Sequence, residues 1–228
     1  AQGWREYWQA LDGSDCYSDA GVTPCNNNDT CAQWNGTLGV VAGSEFAEAA
    51  DKPTFKTGGA GGSSYLDFDG SSNEMTSNAA SDFLAVGAKT LIIACSVDAI
   101  LVNNDGVFQD SGGYIYISVT TTGDKIQFFN WDGPGYDNTA GHAIVAGTPF
   151  VYTCWHTGGN IYDQLNLGSA SSAVASGNTS DLSNTFNLGQ RGGNYLGMNL
   201  YAFAAANVEI AEADRNAVVR YFMGQLGI

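Results

Sequence analysis

The densest run of chemistry-bearing side chains is Trp131-Asp132-Gly133-Pro134-Gly135-Tyr136-Asp137-Asn138. Two aromatic rings, two carboxylates and an amide in so short a stretch are the parts of a saccharide site. Ring faces stack on the apolar side of a sugar, and planar polar groups fix its hydroxyls. Gly133 and Gly135 let the backbone approach a ligand closely. A second set of the same kind is Arg191-Gly192-Gly193-Asn194-Tyr195. From these runs Trp131, Asp132, Tyr136, Asp137, Asn138, Arg191, Asn194 and Tyr195 are the candidate glycan ligands. The competing reading has Trp131 and Tyr136 packed over a sheet edge or against a neighbouring subunit.

Three loops carry oxygen ligands of the type calcium takes: Asp67/Asp69/Asn73, Asn103/Asn104/Asp105 and Asp132/Asp137/Asn138. None has EF-hand spacing, and Asp and Asn also cap their own backbone in turns. Asp67, Asp69 and Asn73 stand as the candidate calcium site, with turn chemistry as the alternative. The sequence requires no cofactor. Cys16, Cys25 and Cys31 share one Asn/Asp-rich segment and are candidates for a loop-closing disulfide. Five cysteines leave at least one thiol unpaired within the chain. A bridge would imply an oxidising compartment. Cys95 and Cys154 lie in apolar runs and read as small core residues. No CxxC pair occurs, and His142 and His156 are far from the cysteine segment, which argues against zinc. No GxSxG motif anchors a Ser-His-Asp triad, and His156 reads as a strand residue rather than a base.

Eight Lys+Arg against 23 Asp+Glu give a net charge of −15. This charge argues against duplex nucleic acid as a partner, because phosphate binding needs clustered cations, and rules out a polybasic membrane anchor; neither nucleic acid nor membrane insertion is expected. The longest apolar runs, such as Leu91–Cys95 and Ala143–Ala146, are far short of the ~20 residues that span a bilayer. A 44% hydrophobic fraction is too high for a disordered acidic chain. Thirty glycines and few charges point to β structure rich in turns.

The elements that would position these residues are mostly strands. Thr90–Val97 and Phe150–His156 are apolar on both faces and read as central strands. Tyr114–Thr120 alternates Tyr114, Tyr116 and Ser118 with Ile115, Ile117 and Val119, a half-buried strand. Ile100–Gln109 reads as a hairpin turning at Asn103-Asn104-Asp105-Gly106. Lys125–Asn130, Asn160–Leu167 and Thr185–Leu188 are further strands, and residues 131–141 a long loop. Gly58–Ser64 reads as a flexible turn, and Glu45 to Glu48 as a single helical turn. Trp4, Tyr7, Trp8 and Leu11 fit one helical face, or equally an aromatic strand that plugs the sheet. Ile210–Leu226 carries an apolar stripe (Ala211, Val218, Phe222, Leu226) interleaved with Glu209, Glu212, Arg215 and Arg220, and Gly227 is a stop signal. The fold class is therefore all-β, a two-sheet antiparallel sandwich with one C-terminal helix packed outside. Residues 1–31 form an N-terminal aromatic arm and cysteine-rich loop, and residues 32–228 the sandwich, in a single domain overall.

Four segments carry a family resemblance: AQWNG at 32–36, KPTFKTGGAGGSSYLDFDGSSNEM at 52–75, TFNLGQRGGNYLGMNLYAFAAANVEI at 185–210 and AEADRNAVVRYFMGQLGI at 211–228. Their order resembles the concanavalin A-like lectin/glucanase superfamily, specifically LamG-like jelly-roll domains of the kind common in bacteriophage virion proteins and secreted bacterial proteins. The chain departs from that pattern in having Asn73-Glu74 where relatives place a second Asp, in Ala211 at the helix N-cap, and in its cysteine-rich loop. The resemblance implies a jelly roll. Glucanases of the superfamily carry Glu-x-Asp-x-x-Glu on a strand, and retaining hydrolysis needs two carboxyls about 5 Å apart. No such motif occurs here.

The reading that follows is a non-enzymatic bacteriophage virion surface protein, a capsid decoration or a tail fibre or spike component, with glycan binding as a candidate activity. The alternative is a carbohydrate-binding, lectin-like module of a secreted bacterial protein. Its partners would be other virion proteins or copies of itself, met through Trp4, Tyr7 and Trp8, and cell-surface glycans, at a virion surface or another extracellular location.

Overall fold

The computed structural model describes residues 4, 6–10, 15–19, 22–37, 46–47, 51–77, 89–99, 105–110, 115–121, 124–131, 135–157, 159–175 and 185–228. Leu11, Glu45, Glu48, Asn103, Asn104, Tyr114 and Asp132 lie outside them.

Two antiparallel sheets pack face to face. The first runs Ser171–Val174, Asn160–Leu165, Phe150–Thr157, Lys89–Val97, Gly197–Ala206, Tyr65–Asp69, Thr54–Lys56. Glu6–Gln9 joins it alongside Ala202 to Ala205. The second runs Tyr136–Asn138, Lys125–Trp131, Ile115–Thr120, Asp105–Asp110, Phe186–Leu188, Met75–Ser77, Phe46–Ala47, Gln33–Trp34, Cys16–Tyr17. Gln190–Arg191 and Asn194–Tyr195 form a separate hairpin. The fold is the expected two-sheet antiparallel sandwich.

The helix Glu212–Leu226 covers the outer face of the first sheet, which makes three layers. This explains the doubly apolar central strands. Leu91, Ile93, Cys95 and Val97 enter the core between the sheets, while Ile92 and Ala94 meet the helix layer. In Gly197–Ala206 a bulge at Leu200/Ala202 resets the alternation. Met198, Leu200, Phe203 and Ala205 then face the core, and Tyr201, Ala202 and Ala204 face the helix layer. Cys95 and Cys154 are core residues, as read.

Several expectations change. Of the two readings of the N-terminal aromatics the sheet strand is the one realised, so Tyr7 and Trp8 point to opposite faces. Trp8 is 0% exposed, stacked on Phe203 at 5.2 Å and edge-on to Phe46 at 5.1 Å. Burial of this kind is worth about 3–5 kcal/mol to a fold. Trp8 is therefore a core residue and not an interface residue, whereas Tyr7 and Trp4 pack with the helix layer. Arg215, expected among the exposed charges, is 6% exposed. Its guanidinium lies 3.8 Å from the Trp155 ring and donates to the Ile210 carbonyl at 3.0 Å. The buried helix face is Arg215, Val219, Phe222, Leu226, because the stacked Trp155 gives a cation somewhere to sit. Gly58–Ser64 is the seat of the helix end: Ser63 donates to the Gln225 carbonyl at 2.9 Å. Asp105-Gly106 is not a turn but the start of a strand, and Phe46–Ala47 is strand rather than helical turn.

Lys89 and His156 are register partners, both buried, with Lys89 Nζ and both imidazole nitrogens lacking hydrogen-bond partners. Burial, aided by the Lys89 charge, pushes the His156 pKa down from 6.5 to about 4. The folded state thus favours the neutral ring. The stability this gives is fully present above pH 6.5 and is lost as pH falls toward 4. The loss should be on the order of 2 kcal/mol for this group. His156→Leu is expected to flatten the urea-midpoint profile between pH 6.5 and 4, and an unchanged profile would remove His156 as its source.

Candidate functional site

The solvent face of the second sheet carries a row of side chains fixed by strand register. Gln109 is paired with Tyr116, Tyr116 with Phe129, and Phe129 with Asn138. In the next row Trp131 is paired with Tyr136. The rings interlock: Tyr116 stacks on Phe129 at 4.4 Å, Tyr136 stands edge-on to Tyr116 at 5.1 Å, and Trp131 stands edge-on to Tyr136 at 4.8 Å. Such edge and offset geometries are the favoured ones for aromatic pairs, so the platform is rigid. Tyr136 remains 42% exposed.

The hairpin of residues 190–195 lies over the same face and brings Arg191 to Tyr116, with its guanidinium carbon 3.8 Å from the ring centroid. Gly106 makes this approach feasible. A Cβ at Gly106 would stand 2.5 Å from the Arg191 backbone nitrogen and 2.5 Å from the Gln190 carbonyl carbon. Gly106 is paired with Ser118, two positions along the strand from Tyr116, so the hairpin rests directly beside the platform. This cover also buries the polar side of Ile115–Thr120, which had read as half exposed.

Gln109, Tyr116, Tyr136, Arg191, Gly192 and Asn194 line one cleft of about 230 Å³. Burial pushes the Tyr116 hydroxyl up to about 12, against the opposing pull of the Arg191 charge, so it stays a neutral donor. The Gln109 side-chain oxygen Oε1 is buried and accepts no hydrogen bond among the described residues.

The cleft joins the two sets read from the sequence, but not every member. Tyr136–Asn138, read as loop, is a strand paired with Lys125–Trp131, so alternation turns Asp137 to the face opposite Tyr136 and Asn138. Tyr195, opposite Gln190, is likewise on the other side of its hairpin from Asn194. Trp131 backs Tyr136 without lining the cleft. Asn138 donates to the Thr139 carbonyl at 3.0 Å beside the cleft. Gln109, Tyr116 and Gly106 were not anticipated. The alternation that put Tyr116 on the polar side of its strand was visible, but nothing in it pointed to Arg191.

The calcium candidates do not fit an ion. Asp69 Oδ1 accepts from the backbone N–H groups of Ser71, Ser72 and Asn73 at 2.9, 3.0 and 3.1 Å, and Oδ2 from the Ser71 hydroxyl at 2.7 Å. Asn73 Oδ1 in turn accepts from the Asp69 N–H at 3.0 Å. These donors hold the Asp69 carboxyl below its usual range despite partial burial. The arrangement is an Asx turn, whose lone pairs are already used. Among the described residues no cluster of three His, Cys, Asp or Glu could hold a metal. The Cys31 thiol donates to the Gln33 carbonyl at 3.3 Å and the Cys25 thiol to the Thr30 carbonyl at 3.9 Å, and Cys16, Cys25 and Cys31 are thiols in this structure.

Two other features have some of the marks of a site. Asp163 is 0% exposed and collects Thr139 at 2.6 Å, Tyr152 at 2.8 Å, His142 at 3.1 Å and Ser171. Ser171 and His142 both address the same carboxylate oxygen, so His142 is not set between serine and aspartate as a triad requires. A second cleft of about 340 Å³, lined by Trp4, Tyr7, Ala204, Ala217, Val218, Tyr221 and Phe222, is almost wholly apolar and offers little to orient a polar ligand.

No protein-family model matches the chain, and no curated protein sequence does. Its fold recurs in solved structures. The receptor-binding domain of botulinum neurotoxin mosaic serotype C/D superposes with a TM-score of 0.65 at 11% identity, over 96% of this chain and 51% of that one. Trypanosoma rangeli sialidase gives 0.63 at 9%, over 98% and 33%. Domain 4 of AbnA, a GH43 extracellular arabinanase from Geobacillus stearothermophilus, solved with arabinotriose, gives 0.55 at 10%, over 95% and 98%. This chain thus spans about a third of the sialidase and half of the toxin domain, and nearly all of the arabinanase domain. At such identities the likeness shows a shared β-sandwich.

Gly106→Ala should lift the 190–195 hairpin at an overpacking cost of about 1–3 kcal/mol. The Arg191 side-chain protons, shielded by the Tyr116 ring, are then expected to move downfield in the proton NMR spectrum. Unmoved signals in a folded variant would show that Gly106 does not set the Arg191 position.

Proposed function

We propose that the protein is a non-catalytic saccharide-binding β-sandwich whose recognition surface is the cleft between Tyr136 and Arg191. The observation that carries this is convergence. An exposed ring, a stacked guanidinium, an amide and a buried acceptor meet in one depression on a rigid sheet. Saccharides need that combination, a ring face to stack on and fixed polar groups around it. None of the described lining residues is a carboxylate, thiol or imidazole, which supports binding rather than hydrolysis.

Structural neighbours lend support of a general kind. One is the arabinanase domain with arabinotriose, and another is the binding domain of botulinum neurotoxin DC in complex with SialylT, at a TM-score of 0.55 and 9% identity over 78% of this chain and 48% of that one. Placement on a bacteriophage virion, as decoration or fibre, rests on the sequence resemblance and the acidic composition. Among the described residues no helix is long and apolar enough to cross a membrane. With Trp8 in the core, assembly with copies or other virion proteins would use Trp4, Tyr7 and the neighbouring helix.

Binding to an array of immobilised saccharides is the direct test. Tyr136→Ala is expected to cut binding at least tenfold with little change in melting temperature, since Tyr136 lies on an edge strand. Trp131→Ala should weaken binding less, because it acts by bracing Tyr136. EDTA should leave binding unchanged. A protein that binds no saccharide, or binds equally well after Tyr136→Ala, would overturn the reading.

A further inference from the structure

Resting on that reading, we infer that the saccharide taken by the cleft carries a carboxylate, and that Arg191 is the residue that selects it. Three observations lead there. The first is the state of Arg191. Its flat face is spent on Tyr116 at 3.8 Å, and it has no ion pair or hydrogen bond among the described residues. Stacking fixes the plane of the guanidinium and leaves its N–H groups directed around the edge of the ring. That is the geometry in which arginine recognises a planar, two-oxygen anion.

The second is what surrounds it. The other described lining groups are Gln109, Tyr116, Tyr136, Gly192 and Asn194, all neutral, so none of these competes for the cation. Among the described residues Arg191 is the one cation that lines the cleft. The Gln109 side-chain oxygen Oε1 is buried without a donor among the described residues. Asn194, whose side chain makes no hydrogen bond among the described residues, is paired with Arg191 across the hairpin and borders the same space.

The third is the scale of the charge. One cation in a molecule of net charge −15 cannot hold a polyanion, since successive charges on a polymer would meet the acidic surface. A single carboxylate seated on Arg191 avoids this. At physiological ionic strength charges beyond about 8 Å are screened, so the local partner outweighs the distant field. The ligand is therefore an acidic sugar unit, terminal or isolated, rather than a uniformly charged chain. Tyr136 supplies the ring face against which its apolar side would lie, as in the saccharide reading.

The experiment uses matched pairs that differ only at the carboxyl group: methyl β-glucuronide against methyl β-glucoside, and the methyl glycoside of N-acetylneuraminic acid against its carboxamide. Affinities are measured by calorimetry for the wild type, Arg191→Met and Arg191→Lys, each checked for an unchanged melting temperature. In at least one pair the acid should bind tenfold or more tighter than its neutral mate. Arg191→Met should abolish that difference, so that acid and neutral forms bind alike. Arg191→Lys should keep part of it, and 0.5 M NaCl should shrink it. Equal binding of acid and neutral forms would overturn the charge inference and leave the saccharide reading standing. Absence of binding to both pairs and to the saccharide array would overturn both. An acid preference that survives Arg191→Met would put the selecting cation elsewhere and overturn this assignment.

Discussion

Phe203 is the point on which the architecture turns. It lies on the longest strand and meets Trp8 at 5.2 Å, Phe46 at 6.1 Å and Phe108 at 5.4 Å. Trp8 comes from the N-terminal strand, Phe46 and Phe108 from the opposite sheet, and Phe108 stacks in turn on Phe186 at 5.1 Å. One ring therefore ties both sheets and the chain terminus together. Close-packed aromatic interiors tolerate little displacement, so the register of the strands that carry these rings is held hard. The strand that carries Phe108 also carries Gly106 and Gln109. The core thus sets the position of the cleft on the outer face, one residue away on the same backbone.

That coupling gives the cleft its character. Its groups stand on strands and on a hairpin seated against them, which holds geometry better than a free loop. The strongest polar requirement within it, a buried acceptor at Gln109 beside the arginine stacked on Tyr116, is created by packing. The polar interior around Asp163 is of a different kind. Asp163 there is surrounded by donors from several segments and satisfied by them, so it ties strands together and presents nothing outward.

Much of the fold was legible because its signals are local. Strand alternation, a doubly apolar run at residues 90–97, a Gly stop after Leu226 and two cysteines inside apolar strands all describe each segment's own environment. The misreadings share one cause, a local signal overruled by a distant partner. Asp105-Gly106 looks like a turn, but the glycine serves the approach of Arg191. Arg215 looks like a solvent charge, but Trp155 covers it. Gly58–Ser64 looks like a slack turn, but the helix end rests on it. Trp8 looks like part of an arm, but Phe203 and Phe46 enclose it.

The sequence by itself determined the all-β class, the single C-terminal helix, the acidic exterior, and the two stretches from which the cleft draws Tyr136, Arg191 and Asn194. These follow from composition and from periodicity over a few residues, which the chain carries wherever it goes. Only the tertiary structure decided that the two stretches meet, that Tyr116 and Gln109 stand between them, and that Asp137 and Tyr195 turn away. Pairing register and the close approach at Gly106 are properties of segments far apart in the chain. No local pattern records them, and they exist only once the aromatic core has brought the sheets together.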